Sequence, residues 1–101
     1  MVKHIVMWKH QDNFTEEEKK EHAKIIKESL EALKDKVPGV ISVQVITEPL
    51  PSSSGHADLI LDSVFENEEA LNSYQVHPEH VKAATFVRSV VKDRICIDYR
   101  E

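Results

Sequence analysis

A chain of 101 residues has room for one hydrophobic core and a single domain, and 41% hydrophobic with 31% charged residues suits a folded protein rather than a disordered one. A net charge of −5, with lysines and arginines scattered among the acids, excludes the basic surface that nucleic acid or anionic lipid requires. Two glycines, Gly39 and Gly55, are too few for a phosphate-cradling loop or a dinucleotide-binding turn.

The first element is a strand over residues 2–9, VKHIVMWK. One face carries Val2, His4, Val6 and Trp8, and the other Lys3, Ile5, Met7 and Lys9. Both are apolar in the middle, as in a strand covered on two sides. The opening runs straight into alternation with no long apolar run, so neither a signal peptide nor a membrane span is expected. Together with a lone cysteine, Cys96, this points to the cytoplasm.

Residues 14–36 read as a long helix. Thr15 is the N-cap and Glu18 completes a capping box. Ala23, Ile26, Leu30, Leu33 and Val37 recur at three- and four-residue steps and form the buried stripe. Val37-Pro38-Gly39 stops the helix. A second strand follows over 40–47, with Ile41, Val43 and Val45 on one side. The 48–57 loop is rich in proline and serine; Ser52, Ser53 and Ser54 lack a nucleophile elbow and read as linker.

A third strand spans 58–65, Asn67 caps a short helix to about Tyr74, and Pro78 opens another to about Ser89. A last strand lies near 93–99. The order is β-α-β-β-α-β with the second helix broken in two. It predicts a single α+β domain over residues 1–101, ferredoxin-like, with a four-stranded antiparallel sheet and helices on one face. The two-faced apolar strand calls for a cover on the other side. A second copy is the economical one, so a homodimer closing into an α/β barrel is expected.

The chemistry concentrates in YQVHPEHV, residues 74–81. Pro78 fits the first helical position, which puts His77 at the N-cap, Glu79 at N2 and His80 at N3. Three readings stand. In the first, His77 caps and His80 is a packed or solvated imidazole. In the second, a helix N-terminus keeps His80 neutral so that it serves as a general base, Tyr74 donates a hydrogen bond to a developing oxyanion, and His4, Val6 and Trp8 line an apolar pocket. In the third, His77 and His80 bind a metal with Glu79 or His4, but too few ligands are in place to specify one, and none is expected. Cys96 is expected to be packed and His10 and His22 exposed. Asp58, Asp62 and Asp98 show no paired spacing.

VKHIVMWK, VPGVISVQV, DLILDSVFENEEALNSY and above all YQVHPEHV resemble the stress-responsive dimeric α/β-barrel family, over almost the whole chain. The resemblance implies a homodimer with a small-molecule pocket between each sheet and its own helices, and no cofactor. It also implies mixed activities. Many members are stress-linked proteins without an assigned activity, whereas plant polyketide cyclases perform a cofactor-free aldol condensation. The tyrosine and histidine that act in those cyclases correspond to Tyr74 and His80, and a pocket histidine to His4. A further pocket histidine corresponds to Leu59, with His56 three residues earlier; His77 completes the motif. Three functions follow: a protein binding a small apolar or aromatic ligand, a cyclase-like or isomerase-like enzyme with His80 as base, or a cofactor-free monooxygenase.

Overall fold

A computed structural model describes residues 1–55 and 57–101; His56 lies outside the described residues. The elements are β1 (Val2–His10), α1 (Glu16–Glu31), β2 (Val40–Ile46), β3 (Leu59–Phe65), α2 (Glu68–Val76), α3 (Pro78–Val90) and β4 (Val91–Arg100). The strands form one antiparallel sheet in the order β2-β3-β1-β4, the ferredoxin-like arrangement that the element order predicts.

Thr15 and Glu18 form the capping box that opens α1, and three glutamates fill the first turn, where the helix dipole favours them. The α-helix ends at Glu31, earlier than the long pattern suggests, and residues Ala32–Asp35 tighten into a 3-10 turn. Ala23, Ile26, Leu30, Leu33 and Val37 are all buried on the sheet. The side chains of α1 also finish the free edge of the sheet. Glu31 accepts the Val45 amide at 2.9 Å, and the Lys27 ammonium donates to the Val45 carbonyl at 2.8 Å. An edge strand so occupied cannot offer these groups to another chain.

The inner face of β2 differs from the alternation read in its sequence. A bulge between Val40 and Ser42 lets Val40 pair with Phe65 and Ser42 with Val64. The extra residue shifts the phase, so that Val40, Val43 and Val45 meet the core and Ile41 does not. Gly39 precedes this bulge with φ +84, and its α-carbon lies so close to α2 that a β-carbon there would come within 2.5 Å of the Ala70 Cβ.

The sheet has two unlike faces. Beneath the helices, Val2, Val6, Trp8, Leu59, Leu61 and Phe65 are buried. On the open face the register builds rungs that are apolar at several positions, including Ile95-Met7-Ile60 and Ile97-Ile5. Ile95, Ile97 and Tyr99 remain 54%, 53% and 46% exposed. Among the described residues, no helix is long and apolar enough to cross a membrane.

Candidate functional site

His77 is the hinge of the motif. It is the only residue between α2 and α3, with the extended φ −64, ψ 135 of a cap. Its ring Nδ1 accepts the Glu79 amide at 3.1 Å, which satisfies one of the orphan donors of α3 and leaves the proton on Nε2 of a neutral ring. The α2 helix runs two residues past Tyr74, and its last turn delivers the Gln75 carbonyl to His80.

That carbonyl sets the tautomer of His80. Its Nδ1 lies 3.1 Å from the Gln75 oxygen, which only accepts, so Nδ1 carries the proton and Nε2 keeps its lone pair in the neutral ring. Burial lowers the His80 pKa; the Gln75 carbonyl works against this, and the charges of His4, Arg88 and Arg94 add to it. The neutrality expected from the helix N-terminus thus comes first from desolvation.

Tyr74 is fully buried, edge-on to Phe65 with ring centroids 4.8 Å apart, and tilted against His80 at 4.3 Å. Its hydroxyl finds no hydrogen-bond partner among the described residues, and burial pushes its pKa up to about 12. It therefore stays a proton donor at neutral pH.

His4, only 3% exposed, faces inward on β1 opposite Asp98 on β4. Its Nδ1 donates to the Asp98 carboxylate at 2.5 Å, and its backbone carbonyl accepts the Ser63 hydroxyl at 2.7 Å. The bond to Asp98 fixes the ring and turns Nε2 to the other side. Cys96 sits 3.7 Å from both partners, and burial, reinforced by Asp98, raises its thiol pKa. These three residues, rather than His77 and His80, gather the potential metal-ligating atoms among the described residues. The 2.5 Å between nitrogen and carboxylate is that of a short hydrogen bond, well inside the roughly 3.4 Å that separates two ligands of one tetrahedral zinc.

A cavity of about 190 Å³ opens beside these groups, lined by His4, Val6, Trp8, Leu61 and His80 together with Leu30, Ala84, Val87, Arg88 and Arg94. Tyr74, Leu59 and His77 are not in its wall: Tyr74 packs against His80, Leu59 is fully buried, and His77 is spent on capping. Sequence reasoning missed Asp98, Arg88 and Arg94. Asp98 becomes visible only once β4 is set against β1 in register. His10 and His22, expected on the surface, are half-buried, each with a buried Nδ1 unpartnered among the described residues; Phe14 covers His22 edge-on at 4.6 Å.

The model of the stress responsive A/B barrel domain family, Dabb, matches residues 2–101. The chain belongs to that family. A dimeric protein of unknown function and ferredoxin-like fold from Bacteroides fragilis shares 33% identity with this Dabb chain, over 99% of it and 95% of the other, at a TM-score of 0.89. A protein from Arabidopsis thaliana at 22% identity covers 100% and 95% with a TM-score of 0.80. The hydroxynitrile lyase of Passiflora edulis at 14% identity covers 97% and 90% with a TM-score of 0.79. The last two likenesses concern the Dabb fold alone. No curated protein matches the chain.

Proposed function

We propose that this Dabb chain binds a small apolar or aromatic molecule in the cavity under α3, as one half of a homodimer. The observation that carries the reading is His80: its imidazole lines an otherwise mostly apolar cavity with Nε2 left free by the bond from Nδ1 to Gln75. At about 190 Å³ the cavity is smaller than the roughly 300–1,000 Å³ of sites for drug-sized ligands, which suits a single-ring molecule. The dimer reading rests on the apolar open face of the sheet and on the dimeric relative from Bacteroides fragilis.

The same free nitrogen favours a second reading, proton abstraction next to a carbonyl. His80, held neutral by burial, takes the proton on Nε2. Tyr74, held protonated, donates to the carbonyl oxygen as negative charge develops there, which requires the ligand or the ring of His80 to open a path to its hydroxyl. Trp8 is the only tryptophan and lines the cavity, so binding is read directly from its fluorescence. The test is acetophenone in deuterated water, with methyl-proton exchange followed by NMR. Saturable quenching of Trp8 supports the binding reading. Exchange that falls about 100-fold or more in His80→Ala supports the base, the usual range for losing one. Exchange equal in both proteins removes the base, and silence of Trp8 with every ring compound removes the pocket.

A further inference from the structure

The charge lining the cavity speaks to the chemistry of its occupant. Arg88 and Arg94 both reach its wall, from different elements and for different reasons. On α3, His80, Ala84 and Arg88 recur every four residues and form one column facing the cavity. On β4, Arg94 shares the inner face with Cys96 and Asp98 by alternation. Met7 pairs with Ile95 and Lys9 with Lys92, so Asp93 and Arg94 together oppose Trp8. Asp93 takes up the extra residue with φ 55, a left-handed value that aspartate tolerates better than most residues. The bulge breaks the regular register just beyond Arg94, which stands opposite Trp8 and lines the cavity.

Neither guanidinium group is tied to a carboxylate among the described residues; the same holds for Lys9, Lys20, Lys24, Lys34 and Lys36, but none of those lines the cavity. Acids outnumber bases in this chain by 18 to 13, and Lys3, Lys19, Lys27, Lys82, Lys92 and Arg100 each pair with a carboxylate. Arg88 and Arg94 both belong to one small cavity. Val6, Trp8, Leu30 and Leu61 supply the apolar side of the same space. Arginine pairs with carboxylate or phosphate through two parallel N–H donors, a geometry that a neutral ligand does not satisfy.

We propose that the cavity takes a small apolar acid, one ring bearing one anionic group, with the ring against Trp8 and the charge held by Arg88 and Arg94. This rests on the cavity being a binding site and names the class of molecule it selects. His80 would then face the ring with its free Nε2, and the bound anion would offset the two arginine charges that disfavour its protonation.

The experiment is titration of Trp8 fluorescence with benzoate, its neutral isostere benzamide, and phenyl phosphate, on the unaltered protein and on R88Q, R94Q and R88Q/R94Q. The expected result is saturable quenching by benzoate with benzamide at least tenfold weaker. The double variant should lose at least tenfold for benzoate while its benzamide affinity stays put, which also certifies that it is folded. Phenyl phosphate bound more tightly than benzoate would assign the anionic group to phosphate. Benzamide matching benzoate, or benzoate binding unchanged in R88Q/R94Q, overturns the proposal and leaves the binding site standing. No quenching by any of the three, nor by acetophenone, overturns both.

Discussion

At the scale of the residue, the molecule holds a polar group where the core would prefer none. The Tyr74 hydroxyl is buried and unpartnered among the described residues, and such a group typically costs about 1–3 kcal/mol. Tyr74→Phe should therefore raise stability, by roughly 1 kcal/mol, in urea unfolding. A loss of stability would show that the hydroxyl has a partner. Under the proton-transfer reading the same variant gains stability and loses exchange, a combination that packing alone does not produce. His80 bears on pH in a definite direction. Burial lowers its pKa in the fold, so below about pH 6.5 the unfolded chain binds protons that the native state resists. Stability should fall as pH drops from about 7 to 5, and His80→Gln should flatten that fall; His10, also lowered by burial, contributes in the same sense and sets the remainder. Melting temperatures across this range check it, and a profile unchanged in His80→Gln would contradict it.

At the scale of the element, the site depends on how α2 is seated. Gly39 leaves room for Ala70 with its positive φ, and α2 in turn carries Tyr74 and the Gln75 carbonyl that orients His80. Gly39→Ala should destabilise by roughly 1–3 kcal/mol, because it combines backbone strain with a clash against the Ala70 β-carbon. Equilibrium unfolding measures it; an unchanged midpoint would mean that α2 shifts freely. The capping predictions read from sequence succeed at this scale. Thr15, Asn67 and His77 are each local devices, in which one side chain satisfies an amide two or three residues away. The misses share a cause. The 3-10 turn after Glu31, the bulge at Ile41 and the bulge at Asp93 are set by partners distant in the chain, and alternation alone says nothing of an extra residue.

At the scale of the whole molecule, the open face of the sheet is the largest unspent feature. Ile95, Ile97 and Tyr99 stand exposed beside Ile5, Met7 and Ile60, and burying an Ile side chain fully is worth about 1.5–3 kcal/mol. The proposed dimer covers this face, so Ile97→Glu should shift the protein from dimer to monomer in sedimentation velocity. A dimer that survives Ile97→Glu, with Met7→Glu equally silent, would place the contact elsewhere. The cavity lies on the opposite side of the sheet, so a folded monomeric variant should retain the Trp8 response to ligand.

The order of elements, their caps, the α+β fold and the family are legible in the chain, because each is written in local periodicity or in a contiguous motif such as YQVHPEHV. The sequence also marked His4, Tyr74 and His80 as a group worth locating. How these residues meet is settled by the folded arrangement. His4 finds Asp98 across 94 positions of chain, Trp8 meets Arg94 across the pairing of β1 with β4, and Tyr74 packs against His80 rather than lining the cavity wall. Those relations come from strand register and helix seating, which sum many weak contacts over the whole domain. No short stretch of residues contains that sum.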